Sequence, residues 1–254
     1  MRLWQLASGA FFLYVACVAL FRGRRSGRAL AGAAAGPIVV SASLAIDEPV
    51  LATWIWPPVL LLIAYWSSGP LFEAARPAHE AALRWLDDLL RIRQVAARTP
   101  RAIAEVLEAA YVGVYPLVPL ALLLHLEFSP LPDSDRFWSV VLITDFLCFA
   151  VLPWVQTRPP RALEPGEPWS SSVRRFNLRL LGATSIQVNT FPSGHAAEGL
   201  VAFLFALAAP PGIVVAMFLA AVAVSAGAVL GRYHYLADAV AGWAVAAIVF
   251  LMLF

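Results

Sequence analysis

Eight apolar runs, each close to the length that crosses a bilayer, constrain this chain more than any other feature. They fall at residues 3–21, 29–46, 50–66, 106–126, 137–155, 195–209, 212–230 and 235–254, and a spanning helix needs roughly 20 apolar residues. Of the 254 residues 61% are hydrophobic and 13% charged, with a mean hydropathy of +0.77. That is more apolar surface than one water-soluble core can bury, whereas a bilayer accepts it. The expected fold class is all-α, a polytopic membrane helix bundle, and the expected location is an integral position in the plasma (inner) membrane. The run 29–46 is interrupted by Gly36-Pro37, and 195–209 is short enough to begin or end in the interface.

Residues 3–21 differ from a cleaved signal: the apolar stretch is too long, and Arg22, Arg24, Arg25 and Arg28 stand where a cleavage site would lie, so a retained span is expected. Cys17 and Cys148 both fall inside apolar runs and read as packing residues, with neither a disulfide nor a metal site. All eighteen basic residues are arginines, spread over separate loops, which argues against a nucleic-acid partner. Between the third and fourth runs, apolar Ala82, Leu86, Leu89, Leu90, Ile92, Val95 and Ala96 alternate with Arg84, Asp87, Asp88, Arg91 and Arg98. This pattern predicts an amphipathic helix lying in the interface with its arginines toward lipid headgroups. Three units follow: N-terminal transmembrane helices at 1–66, an amphipathic interfacial segment at 67–105, and a C-terminal transmembrane region at 106–254, which holds the candidate catalytic groups described next.

Polar groups that could carry chemistry cluster at the mouths of the last spans. In Phe191-Pro192-Ser193-Gly194-His195, Ser193 is a natural N-cap, Gly194 lets the backbone approach a ligand, and the free amides of the helix start form an anion site. His195 in the first turn can reach an oxygen of the same anion. His234 and Asp238 stand four apart at the start of the last helix, on one face, so the carboxylate can fix the imidazole tautomer and stabilise its charged form. Two histidines with different neighbours suit a two-step phosphoryl transfer, with His234 as nucleophile and His195 as general acid. Arg158, with Arg161 and Arg232, would supply planar charged donors for the nonbridging oxygens.

Arg158-Pro159, Pro192-Ser193-Gly194-His195 and His234-x-x-x-Asp238, in that order, resemble the three signature motifs of the type 2 phosphatidic acid phosphatase superfamily. The resemblance covers roughly residues 106–254. It implies a six-helix phosphatase-like core with extra N-terminal spans and metal-independent dephosphorylation of lipid phosphates or pyrophosphates by a phosphohistidine route, with no cofactor. The implied partners are a membrane lipid phosphate substrate and the bilayer itself. Two departures stand out. Val151 occupies the place of the family's usual lysine, and Gly227 and Ala228 that of its Ser-Arg; Arg232 is the expected substitute for one lost cation. With Thr157-Arg158-Pro159-Pro160-Arg161, Asn189-Thr190-Phe191 and Tyr233-His234-Tyr235, the pattern is similar to the branch containing the inositol phosphorylceramide synthases, whose members can pass a phosphorylated headgroup to another lipid. A lipid-phosphate phosphohydrolase, a headgroup phosphotransferase and a non-enzymatic lipid-binding or transport protein remain as function classes.

Other polar residues receive quieter readings. A zinc site from His195, Glu198, His234 and Asp238 lacks a cysteine or close histidine pair, so no metal is expected. Glu198 reads as a supporting or water-facing residue, and Arg174, Arg175 and Arg179 as headgroup binders or a basic juxtamembrane loop. Asp145, in the fifth span, is a functional candidate by its cost there, but measured along a helix to Arg158 it is expected to be remote from the phosphate. His125 and Glu127 mark an interface. With eight spans, sixteen arginines share the side of the site and only Arg2 and Arg136 lie opposite. Charge asymmetry therefore places the site in the cytoplasm, while the resemblance implies the periplasm or an organelle lumen.

Overall fold

Prolines and side-chain caps cut the apolar runs into helices. The computed structural model describes residues 1–22, 27–46 and 48–253, so Arg24 and Arg25 lie outside the described residues. Its helices are α1 (Leu3–Phe21), α2 (Gly27–Ala45), α3 (Pro49–Trp54), α4 (Trp56–Ser68), α5 (Pro77–Leu89), α6 (Ile92–Ala97), α7 (Arg101–Phe128), α8 (Ser134–Val151), α9 (Ser172–Thr184), α10 (Gly194–Phe205), α11 (Pro211–Leu230) and α12 (Leu236–Leu253). No strand forms among the described residues; a single antiparallel bridge joins Thr157 to Asn189. The protein is thus an all-α helix bundle. Asp133 caps α8 and Ser171 caps α9 through their side-chain oxygens, while proline opens α3, α4, α5 and α11, where a missing N–H costs nothing.

Among the described residues five helical segments are long and apolar enough to cross a membrane: Leu3–Phe21, Pro49–Leu71, Arg101–Phe128, Pro211–Leu230 and Leu236–Leu253. Leu30–Ala45 and Gly194–Phe205 are shorter apolar helices, and α8 carries Asp135, Arg136 and Asp145 within its length. This is an integral membrane protein. The expected span 50–66 is two helices, broken at Ile55 because Pro57 and Pro58 cannot continue the hydrogen bonding of α3.

Around α10 pack α7, α8, α11 and α12, while α1 and α4 lean on α8 from the other side. Phe11 of α1 stacks on Phe146 of α8 with ring centroids 4.6 Å apart. At Gly242 the backbone of α12 comes so close to the Ser193 carbonyl that a methyl group there would collide with it. Glycine is what allows this approach. Cys148 is buried, but Cys17 faces outward instead of packing in the bundle.

The amphipathic segment differs from its expected form in two ways. It is two helices, α5 and α6, separated at Leu90 and Arg91, with Arg91 in the left-handed region at φ 51°. Its protein-facing side is acidic: Glu80 and Asp87 are buried with Leu83, while Trp85, Leu89 and Leu90 are exposed. Carboxylates face inward because arginines wait for them. Glu80 binds Arg158 at 2.9 and 3.0 Å. Asp87 accepts from Arg232 at 2.7 Å and from the Leu236 amide at 2.9 Å, so it also closes the start of α12. The exposed apolar stripe suits a helix lying on lipid.

Removing one partner of a buried pair strands the other charge. We expect Asp87→Ala to lose about 3 kcal/mol, read as a lower midpoint of thermal unfolding in detergent. Asp87→Asn, which can still accept from Leu236, should lose less. Equal melting of Asp87→Ala and wild type would remove this pair from the account of the fold.

Candidate active site

The start of α10 and the first turn of α12 are held together by their backbones, since the Ser193 amide donates to the Asp238 carbonyl at 2.9 Å. Ser193, fully buried, accepts from the Ala196 amide at 3.3 Å and so caps α10. The amides of Gly194 and His195 have no acceptor among the described residues, leaving two donors at a positive helix end. In the adjoining turn the Tyr233 and His234 amides both donate to Ala228 at 2.9 Å. His234 Nδ1 lies 3.3 Å from Asp238 Oδ2, which also accepts from the Tyr235 amide at 2.9 Å. The second ring nitrogen, Nε2, is thereby left for a ligand.

His195 and His234 face one cavity of about 310 Å³, their ring centroids 6.1 Å apart. The His195 ring stacks on Tyr111 at 4.8 Å, and Tyr111 stacks on Tyr233 at 4.1 Å. His195 Nε2 is 3.4 Å from the Tyr115 hydroxyl. Tyr233 in turn donates to Glu108 at 2.6 Å. That buried carboxylate also takes Arg174 at 2.8 Å, Asn177 at 2.7 Å and Trp169 at 2.9 Å, and Arg174 reaches on to the Gly231 carbonyl at 2.9 Å. Glu108 went unnoticed in the sequence. Its only signal there was a carboxylate at the start of an otherwise apolar run.

The arginines are redistributed relative to expectation. Arg161 lines the cavity, its guanidinium 5.2 Å from the Tyr233 ring centroid, and no carboxylate among the described residues pairs with it. Arg158 does not line the cavity; it holds Glu80 in a two-pronged pair. Arg232, 2% exposed, is bound by Asp87 and by Glu164 at 2.5 Å, so it does not replace a lost cation at the cavity. Arg174, read as a headgroup binder or loop residue, is equally buried between Glu108 and Glu167. Gly227, where a serine was anticipated, abuts the Leu107 carbonyl so closely that no side chain fits.

Asp145 is also misplaced by the sequence reading, which set it far from the phosphate. It lines the same cavity as both histidines, and a methyl carbon built on Gly194 would lie 2.9 Å from its Oδ1. The error came from measuring along α8 to Arg158 instead of across to α10. Glu198, one turn beyond His195, lines the cavity beside it. By contrast His125 is folded into the far end of the bundle, accepting from the Asp133 amide at 3.2 Å.

Outside the spans, local charge tunes the polar groups. The Arg158 guanidinium holds the Glu80 carboxyl below its usual range, so its support for α5 is present above the unfolded pKa and is lost as pH falls through the folded one. Burial pushes Asp87 up despite Arg232, and burial likewise raises the Tyr233 and Tyr235 hydroxyls. No group of three metal-ligating side chains converges among the described residues.

Fold and site together define a polytopic helical membrane protein in which two histidines, one bound to an aspartate, share a cavity between helices. The family model of the PAP2 superfamily matches residues 80–252, more than half of the chain. The chain belongs to that superfamily, which generally comprises phosphatases and phosphotransferases. The match begins at Glu80 and so takes in α5, which the motifs alone left outside. No curated protein and no solved structure matches the chain.

Truncating Glu108 should separate the scaffold from the site. Glu108→Ala leaves Arg174 buried with Glu167 alone and is expected to cost about 3–5 kcal/mol, whereas Tyr233→Phe keeps the ring stack, loses one charge-assisted hydrogen bond and should cost about 2 kcal/mol. Thermal unfolding in detergent measures both. Equal losses would show that Arg174 does not depend on Glu108.

Proposed function

We propose that this protein removes or transfers phosphoryl groups of membrane lipid phosphates through a phosphohistidine intermediate on His234. The observation that carries the reading is the pair of imidazoles facing one cavity, 6.1 Å apart, with Nδ1 of His234 against Asp238. His234 Nε2 attacks phosphorus as the bond to the leaving oxygen breaks, and His195 protonates that oxygen. Asp238 stabilises the imidazolium that forms. The Gly194 and His195 amides at the Ser193-capped helix start, with Arg161, take the nonbridging oxygens. Arg158 and Arg232 act at one remove, fixing α5 and the turn before His234. In the second step water, or an alcohol, takes the phosphoryl group and returns a proton to His195. The reading uses no metal or cofactor. The intact His195, His234 and Asp238 arrangement speaks against a purely lipid-binding or transport role.

Transfer to a second lipid is favoured over hydrolysis by one specific feature. The chain lacks two of the family's usual cations, with Val151 and Ala228 in their places and Gly227 in that of its serine, a departure similar to that of the inositol phosphorylceramide synthase branch. The cavity walls of Leu61, Leu62, Leu180 and Leu181 offer room for lipid chains.

The test is trapping with labelled short-chain phosphatidic acid in detergent containing excess chelator. Wild type should form an acid-labile, base-stable phosphoenzyme, and His234→Ala none. His195→Ala should slow turnover of the lipid phosphate by about 10²–10⁴ and affect p-nitrophenyl phosphate much less, because nitrophenolate leaves without a proton. Equal losses on both substrates would overturn the acid role of His195, and a labelled His234→Ala would overturn the nucleophile.

Arginine asymmetry favours a cytoplasmic site. With Cys17 and Cys148 replaced, Pro132→Cys in intact cells should react with an impermeant maleimide and Ser170→Cys, in the exposed loop before α9, should be protected. The opposite pattern would reverse the orientation.

A further inference from the structure

A carboxyl group in the middle of a membrane helix is costly unless something binds it. Asp145 is 1% exposed, lies on the cavity wall, and neither of its oxygens receives an N–H or O–H from a protein donor among the described residues. Among the described residues Glu198 is placed to share a hydrogen bond with it if one proton lies between the two carboxyls. Among the described residues no arginine pairs with either acid: Arg161, which lines the cavity, sits over Tyr233. The pair nevertheless adjoins the reacting centre, since Asp145 Oδ1 lies within 2.9 Å of where a methyl carbon on Gly194 would be and Glu198 follows His195 by one turn.

A phosphate would be repelled by these carboxyls, so their ligand is the group beside the phosphate. A pair sharing one proton offers a donor and several acceptors together, which matches a hydroxyl, itself both donor and acceptor. We propose that Asp145 and Glu198 form a hydroxyl-binding subsite that seats a polyol acceptor, one hydroxyl of which takes the phosphoryl group from His234. This rests on the phosphohistidine reading above. In the transfer step the attacking hydroxyl oxygen forms the new O–P bond, and the P–N bond to His234 breaks with its electron pair returning to the imidazole. The hydroxyl proton passes to His195, which gave up its own in the first step. A neighbouring hydroxyl of the same acceptor exchanges hydrogen bonds with the Asp145–Glu198 pair and holds the molecule in line. The two acids are specificity residues that touch the acceptor.

The experiment uses p-nitrophenyl phosphate as donor and glycerol, 1-propanol or ethanolamine as added acceptor. Nitrophenol released counts phosphoenzyme formed, inorganic phosphate counts transfer to water, and the difference counts transfer to the alcohol. The transfer-to-hydrolysis ratio is independent of how much protein is folded. Wild type should prefer glycerol over 1-propanol, and Asp145→Leu and Glu198→Met should each lower the glycerol ratio about tenfold, the loss expected for hydrogen bonds to a charged group, without lowering that for 1-propanol. Asp145→Asn and Glu198→Gln should give intermediate ratios. No preference for glycerol in wild type, or an undiminished preference in the variants, would overturn the subsite while leaving the phosphohistidine reading intact. A loss confined to ethanolamine would put an ammonium in the subsite and overturn the assignment. Absence of nitrophenol release and of phosphoenzyme in wild type would remove both proposals.

Discussion

The site depends on one buried ion pair. Glu108 and Arg174 are 1% and 2% exposed and meet at 2.8 Å, and away from water each charge needs the other. Glu108 belongs to α7, Arg174 to α9, and Arg174 also bonds the Gly231 carbonyl, so the pair ties two helices to the turn that carries His234. Tyr233 extends the connection. Its hydroxyl is held by Glu108, its ring lies on Tyr111, and Tyr111 lies on His195. Both imidazoles are thus positioned through a buried pair, Glu108 and Arg174, that does not line the cavity, a division of labour common where first contacts must be held tightly.

A pair of acids explains what became of Arg158 and Arg232. Glu80 and Asp87, one face of α5, clamp Arg158 and Arg232. These arginines therefore act as struts between an outlying helix and the core, and Arg161 is left as the cation of the cavity. The clamp couples α5, with Trp85 and Leu89 turned outward, to the turn before α12 through the Leu236 amide. The family match starting at Glu80 fits this packing, because α5 is built into the same unit as the histidines.

The cavity itself is assembled from parts that no single motif spans. Leu61, Leu62, Tyr65 and Trp66 of α4 form one wall, and Trp66 and Tyr65 fasten that wall to Thr184 at the end of α9 and to Ile186 just beyond it. The N-terminal helices are therefore part of the site's shape. Asp145 of α8 and Glu198 of α10 line the same cavity and bring two acids beside both histidines.

What the sequence alone determined was local. Apolar runs, the Ser193 cap and the four-residue spacing of His234 and Asp238 are set within a few turns of one helix; the cap and the spacing are present in the structure, and among the described residues five of the eight expected runs form helices long and apolar enough to cross a membrane. Proline signals were local as well, and reading Pro57-Pro58 more strictly would have split the third run. Tertiary structure alone decided the pairing of charges. Arg232 and Asp87 are 145 residues apart, Arg158 and Glu80 are 78, and a sequence shows a charged side chain but not which opposite charge the packing will bring to it. The same holds for Asp145, whose distance from the site along the chain is large and across the helix contact small. In a low-dielectric bundle those long-range encounters, more than residue type, fix which polar groups are committed to the fold and which remain for a ligand.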